Sequence, residues 1–417
     1  MTSARSSAAV GPAVPPSAYP DYGRPLWRRV LFTREMAIVV LLGLVVLISC
    51  LGVEHFADKM TMYNLLRDMM ATLMIALPMC LVMITGDIDV SVGSMVGLTC
   101  SLLGLLYSHG VPFGLAMVLV LVVGAASGFM NGWLVTRVGL PSLAVTIGSM
   151  ALFRGIAVGL LGTTSVTQFP KAWTDLAKFE IAGTGVPVLI LVFLAMLAGF
   201  VYLLHFTAFG RGVYAIGLNE EAATFSGVDT ARTRIILFVL AGAVSGLGGI
   251  YWTLLRGTAR GDVGDGLELQ VIAAVVLGGV SVFGGVGALY GVVAGVLLIG
   301  VLSSALRLMG VTAEVIKIIT GVLLIGSVVL ASALSWARER RARAAAADQA
   351  ETTLEGSSDQ RPALASGGQP PPPGDLVPPP GASSPLAQEL SSSAGEPSPL
   401  TQESPSSAGG RFPPDGD

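Results

Sequence analysis

Few residues in this chain have the type and setting to do chemistry. Two carboxylates, Asp87 and Asp89, stand two apart in "LVMITGDIDVSVGSMVG" (Leu81–Gly97), with apolar sequence on both sides. Carboxylates accept hydrogen bonds from hydroxyls, and Ser91 and Ser94 add donors beside them. An acidic group deep in a bilayer is costly and usually functional. On a continuous helix, side chains two apart point in different directions. Gly86 and Gly93 point instead to a break in the helix. Two readings follow. The break lines a polar path for solute, with Ser91, Ser94 and Asn131 as further path residues, or it is a short turn in which Asp89 caps the next helix. Asn131, inside an apolar run, suits hydrogen bonding across helices. Arg154, inside another, needs a partner or a watery cavity. Glu268 and Gln270 stand at the mouth of a later apolar run, suited to face a delivering protein.

No catalytic set accompanies them. Lysine occurs only at Lys59, Lys171, Lys178 and Lys317, and none completes a G-x-x-x-x-G-K-[ST] phosphate loop. H-E-x-x-H and G-x-S-x-G are also missing. Cys50, Cys80 and Cys100 lie in apolar runs, where cysteine acts as a small buried hydrophobe. His55, His109 and His205 are far apart at the ends of such runs. These residues give no metal-ligand spacing and no disulfide framework. The chain is expected to bind no metal and no cofactor, and it has no basic patch for nucleic acid.

The elements that must position these residues are membrane spans. The chain has 417 residues, 53% of them hydrophobic and only 12% charged, against about a quarter charged in soluble domains. Recurrent runs of about 20 apolar residues are read as spanning helices. The spans fall at about 36–53, 65–86, two within 90–136, 142–162, 187–205, 235–255, two short elements within 269–306, and 315–334. The pair within 90–136 is split at "SHGVPFG" (Ser108–Gly114), and 163–186 reads as an external loop. Within 269–306 the glycine-rich "GGVSVFGGVG" (Gly278–Gly287) makes the break. Gly278, Gly279, Ser281, Gly284 and Gly285 allow either a tight re-entrant hairpin or close helix packing. The expected fold is therefore an all-α polytopic membrane protein of about ten transmembrane helices. Arginine collects on one side of this arrangement, at Arg24, Arg28, Arg29, Arg34, Arg137, Arg211, Arg232, Arg234, Arg338, Arg340, Arg341 and Arg343. The other side has mainly Lys59, Lys171, Lys178, Arg256 and Arg260. The asymmetry places both termini in the cytoplasm of a plasma membrane. Residues 1–35 and 336–417, rich in Pro, Ser, Gly and Ala, are read as disordered cytoplasmic segments around a permease domain at 36–335. "PPPP" at Pro370–Pro373 suits a polyproline helix.

The largest predicted cytoplasmic loop contains "FGRGVYAIGLNEEAATFSGVDTARTR" (Phe209–Arg234). Asn219 is a good N-cap, and Glu220 and Glu221 follow in the first turn, where the helix dipole favours negative charge. Ala222 and Ala223 are small helix formers, and Gly227 can end the helix in a left-handed cap. An isolated helix of two turns is marginal in water. It is either a docking element for a partner or a connecting loop.

"EAATFSG" (Glu221–Gly227) resembles the E-A-A-x-x-x-G loop of the membrane subunits of ATP-binding-cassette importers. "ITGDIDVSVGS" (Ile84–Ser94) is similar to the I-T-G-G-I-D-L-S-V-G-S signature of their ribose, arabinose, xylose and rhamnose branch. "GLELQVIAAVVLGGVSVFGGVGALYG" and "RVGLPSLAVTIGSMALFRG" resemble two further blocks, so the likeness runs through residues 36–335. Asp87 and Val90 depart from the signature, which has glycine and leucine there. The acidic Asp87 resembles the rhamnose-type permeases. Other pentoses, hexoses and autoinducer 2 remain alternatives, as does the separate class of secondary transporter or facilitator. The resemblance implies a permease subunit without ATPase activity of its own. It implies ATP hydrolysis by a cytoplasmic ATPase subunit that docks on the 219–227 loop. It further implies an extracytoplasmic sugar-binding protein, a second permease copy or paralogue, and a sugar carried by alternating access across a bacterial plasma membrane.

Overall fold

In the computed structural model the apolar runs fold into helices whose ends fall close to the sequence-based spans. The structure describes residues 34–323 apart from residue 182, together with 325, 326, 329 and 340. The chain divides into units 1–344 and 345–417, and every described residue lies in the first. The N-terminal arginine segment before Arg34, most of 336–344 and the proline-rich tail lie outside the described residues.

The elements are α1 (Arg34–Gly52), α2 (Lys59–Ile84), α3 (Val92–Ser108), α4 (Phe113–Arg137), α5 (Ser142–Leu161), β1 (Val166–Thr167), α6 (Lys171–Lys178), α7 (Ile190–Phe206), α8 (Ala208–Leu218), α9 (Glu220–Phe225), α10 (Thr230–Arg256), β2 (Thr258–Ala259), α11 (Leu267–Leu277) and α12 (Leu289–Leu308). Residues 313–323 are helical again. β1 and β2 form one antiparallel ribbon of two residues each, so the fold is helical, as expected.

Among the described residues five helices, α2, α4, α5, α10 and α12, are long and apolar enough to cross a membrane. A sixth is obtained if α7 and α8, bent by 70° at their junction, count together. α3 has 17 residues, or about 25 Å of rise, and α11 has 11, or about 16 Å, against a hydrocarbon core of about 30 Å. Nine of the ten expected apolar segments are helices among the described residues, and the tenth, 315–334, is described only in part; α3 and α11 are too short to cross alone. The stretch 269–306 is thus a short helix, a glycine-rich break and one full span.

α2 is the axis of the bundle. Every residue from Met69 to Ile84 is buried, as expected of a helix apolar all round. α10 packs beside it and against α3 and α4. The α4–α10 contact is a seam of small residues. A Cβ on Gly124 or Gly128 would strike the backbone of Gly242 or Phe238, and one on Gly132 would press on Ile235. Such residues let helix backbones approach in lipid, where burial alone gives little drive for association. Gly249 of α10 likewise abuts Thr99 and Val96 of α3.

The segment expected as an external loop carries α6. Its end is tied to the start of α2. The Tyr63 hydroxyl donates to the Lys178 carbonyl at 2.6 Å, and Lys59 pairs with Glu180 at 2.8 Å. The hydrogen bond from Lys59 holds the Glu180 carboxyl below the usual range. Cys80 and Cys100 are buried free thiols as expected, whereas Cys50 is exposed, because α1 turns much of its surface outward.

Candidate functional site

The break after α2 begins where Thr85 caps the helix and Gly86 takes φ +86°, a conformation glycine adopts at no steric cost. The chain resumes as a helix at Val92. Gly93 lies inside α3 and is not part of the break, contrary to the sequence reading. It makes room for another group, since a Cβ there would collide with the Glu268 carboxylate. Gly97 similarly leaves room for the Arg154 guanidinium.

Asp89 holds the break from within. Its Oδ1 accepts the Ser91 amide at 2.9 Å and the Ser91 hydroxyl at 2.6 Å. Asn131 of α4 donates from Nδ2 to Ser91 Oγ at 2.9 Å, which is the cross-helix bond its sequence position predicts. The Ser94 hydroxyl donates back to the Ser91 carbonyl. Asp89, Ser91, Ser94 and Asn131 are all at 0% exposure, so they form a buried network between α3 and α4, in which Asp89 Oδ2 and Asn131 Oδ1 have no hydrogen-bond partner.

Asp87 has a different setting. It lines a cavity of about 600 Å³ with Ser142, Thr230 and Arg234. The Thr85 hydroxyl donates to its Oδ2 at 3.2 Å, and Arg234 Nε lies 3.0 Å from the same oxygen. The Nε–H is not aligned for a hydrogen bond, so this contact is a close ion pair. The other arm of Arg234 donates from Nη1 to Glu220 Oε1 at 2.9 Å. Asp87 is 5% exposed. Ser142, at the first turn of α5, accepts the Ile88 amide at 3.3 Å. One guanidinium from α10 therefore joins the break after α2 to α9.

That loop takes the expected form in a shorter version. Asn219 ends α8 and caps α9, its Oδ1 accepting the Ala222 amide at 2.9 Å. Glu220 and Glu221 occupy the first turn, and α9 has only six residues. Ala223 is buried, and Gly227 follows with φ +85°. Glu221, Ala222 and Phe225 face outward, Phe225 at 92% exposure.

The glycine-rich break meets the same region. Ser281 closes a tight hairpin, with its amide donating to the Val286 carbonyl and its carbonyl accepting the Gly284 amide. Gly285 donates to the carbonyl of Ile84 at 2.8 Å. A Cβ on Gly217 of α8 would strike both Ile84 and Gly285. The Tyr214 hydroxyl donates to the Gly287 carbonyl at 2.7 Å. Gly278 instead packs α11 on α12, since its Cβ would meet the backbone at Gly291 and Val292. A tight hairpin and close helix packing thus occur at different glycines of this stretch. Gly279, with φ +94°, follows the end of α11.

Several of these groups escaped the sequence reading. In the sequence Arg234 stands only as one of the flanking charges, because its two carboxylate partners are 14 and 147 positions away. Gly217 and Tyr214 carry no motif. Arg154, expected to need a partner, finds two in the carbonyls of Gly261 and Val263, at 3.2 and 2.8 Å. Glu268 is buried beside it with its carboxylate against Gly93, and together with Gln270 it borders a cavity of about 940 Å³. No group of three or more His, Cys, Asp or Glu suited to a metal ion occurs among the described residues.

The described residues form a polytopic helical bundle with a break after its central helix and a short capped helix beside that break. Residues 61–328 match the family described as branched-chain amino acid transport system / permease component, and the chain belongs to it. It is similar to the autoinducer 2 import system permease protein LsrD of Yersinia enterocolitica serotype O:8, at 35% identity over 70% of this chain and 89% of that protein. It is also similar to LsrD of Yersinia pestis strain Pestoides F, at 33% identity over 77% of this chain and 99% of that protein. No solved structure matches the chain.

Proposed function

We propose that this chain is the permease subunit of an ATP-binding-cassette importer for a small polyhydroxylated solute. Its named relatives import autoinducer 2, and its Ile84–Ser94 signature resembles that of sugar permeases. Autoinducer 2 and rhamnose are the two leading substrates, the first from those relatives and the second from the acidic residue at position 87.

The carrying observation is the chain of contacts from α9 through Glu220 and Arg234 to Asp87. In this reading α9 lies on the cytoplasmic side and docks on an ATPase subunit, which hydrolyses the ATP. Glu221 and Phe225, turned outward, meet that subunit. Displacement of α9 pulls on Arg234 and so on the ends of α2 and α5, and the helices alternate between outward and inward openings. A binding protein delivers the solute on the opposite side, and a second permease copy or paralogue completes the pore. No covalent step occurs on this chain.

The test is uptake of labelled autoinducer 2 and labelled L-rhamnose into vesicles holding the assembled importer with its co-encoded binding protein. Uptake of one of them that needs ATP and survives collapse of the proton gradient is expected. Uptake that stops with the gradient would identify a secondary transporter instead. Glu221→Lys is expected to lower ATP-driven uptake at unchanged membrane abundance. Unchanged uptake in that variant would sink the docking role.

A further inference from the structure

The short helix α6 (Lys171–Lys178) has no part in the mechanism above, and its surface is divided in three. Thr174 and Ala177 are buried and hold it to the bundle. Lys171, Asp175 and Lys178 form an exposed charged row. Trp173, Leu176 and Phe179 form an apolar row, at 39%, 47% and 59% exposure. At about 100° per residue, the charged and apolar rows centre roughly a third of a turn to either side of the buried one. A surface helix of a soluble protein buries one apolar stripe and turns polar residues outward. Here a second apolar stripe faces outward as well.

α6 crosses the end of the bundle instead of extending a span. Near its start the Trp173 ring meets Phe113, the first residue of α4, at 6.0 Å. At its end the Lys178 carbonyl accepts the Tyr63 hydroxyl, from the second turn of α2. The Ile84 end of α2 meets α8 and the glycine-rich hairpin, so α6 lies at the end of the bundle opposite α9. Its depth follows from α4, which rises about 37 Å over 25 residues, more than the hydrocarbon core of about 30 Å. The outer face of α4 is apolar through Leu115, Val118 and Val122, and Arg137 closes its far end. Phe113 therefore stands where the core gives way to headgroups. Tyr107, Phe169 and Trp173 gather around its ring, as aromatic side chains do at that depth.

We infer that α6 is an interfacial helix, seated in the headgroup–acyl boundary of the leaflet away from α9, and that its partner is the phospholipid surface. With the buried row turned sideways to the bundle, the other two rows point to opposite sides, one to water and one to lipid. Trp173, Leu176 and Phe179 enter the boundary beside the end of α4, continuing its apolar outer face. Lys171, Asp175 and Lys178 stay in water, and the lysine stems can reach phosphates. Interfacial helices pair an apolar face with a charged one and sink the former by about 5–10 Å. Because α6 is tied to α2 and α4, this seat fixes the ends of both helices at one depth. Naming the leaflet as the outer one rests on the importer reading; the seat itself does not.

The test uses the full chain with Cys50→Ser, which removes the exposed thiol, and one new cysteine, Leu176→Cys or Asp175→Cys, both at exposed positions. Each is labelled with a polarity-sensitive fluorophore and reconstituted in vesicles of phosphatidylethanolamine and phosphatidylglycerol. The Leu176→Cys probe is expected to emit further to the blue than the Asp175→Cys probe. Brominated acyl chains should quench it, and aqueous iodide should quench it several-fold less than the Asp175→Cys probe. Equal iodide quenching at the two positions, with no quenching by brominated lipid, overturns the interfacial seat. Shielding of the Leu176→Cys probe that appears only when the co-encoded binding protein is added overturns it in favour of a docking face for that protein. Shielding without lipid quenching that is lost as the protein is diluted in the bilayer overturns it in favour of a second copy. The measurement needs neither ATP nor an ATPase subunit, so a failed uptake test leaves its result standing.

Discussion

Asp87 and Asp89 stand two positions apart, yet they do different physical work. Asp89 spends one oxygen on two Ser91 donors inside a network with no exposure. An asparagine oxygen can accept the same two bonds, so Asp89→Asn is expected to unfold within about 1 kcal/mol of the parent. Asp89→Ala should lose about 1–3 kcal/mol by orphaning those donors. Asp87 is one carboxylate of an Asp87–Arg234–Glu220 chain. Arg234→Ala leaves Asp87 buried without its cation, a change expected to cost about 3–5 kcal/mol. Asp87→Asn keeps a neutral group there and should cost less. In a double-mutant cycle on purified protein, additive losses for the two changes would show that the ion pair carries no coupling. The sequence made both aspartates visible as charges in an apolar run. The signature also separates them, since Asp89 fits it and Asp87 departs from it, but the cation that pairs with Asp87 was not legible, because Arg234 is 147 positions away.

At the scale of elements, the meeting point of α2, α8 and the glycine-rich hairpin depends on close backbone approach. A Cβ on Gly217 would strike the backbone of Ile84 and Gly285. Gly217→Ala is expected to cost about 1–3 kcal/mol by overpacking and to lower uptake. Gly199→Ala on α7, whose Cβ would meet open space, should leave melting unchanged or slightly raise it. Equal melting temperatures for the two variants would refute the packing role of Gly217. Asn219→Ala removes the α9 cap, worth about 1 kcal/mol. In a helix of six residues that is enough to fray it, and faster amide exchange confined to α9 and its flanks is the expected signature. The elements themselves were legible because runs of apolar residues, capping residues and glycine clusters act locally. The shortness of α3 was not legible, since Val90–Thr136 is free of charge along its whole length; for α11 the glycine-rich break allowed a short element, and packing decided where helix gives way to hairpin.

At the scale of the molecule, α2 spans the distance between two polar regions with an unbroken buried apolar stretch from Met69 to Ile84. One end meets the Asp87 cavity and the loop that carries α9; the other lines the larger cavity with Arg67 and Asp68. Under the proposed importer reading the two ends of α2 are coupled, and coupling runs both ways: Arg234→Ala at one end is expected to change maleimide labelling of Ser304→Cys at the other, and an unchanged labelling rate would contradict it.

Composition, apolar periodicity and capping residues determined by themselves that the chain is a helical membrane protein with a capped helix in its largest polar loop, while the permease class came from the resemblance of its motifs to a known family. These are local signals, set by transfer of side chains into lipid and by hydrogen bonding over a few residues. Tertiary structure alone decided which charges meet. It joined Asp87 to Arg234, placed Glu268 against Gly93, and gathered Arg67, Asp68 and Trp252 around one cavity. Those pairings depend on where distant helices cross, and the crossing points are set by glycines whose purpose shows only when the opposing backbone is in place.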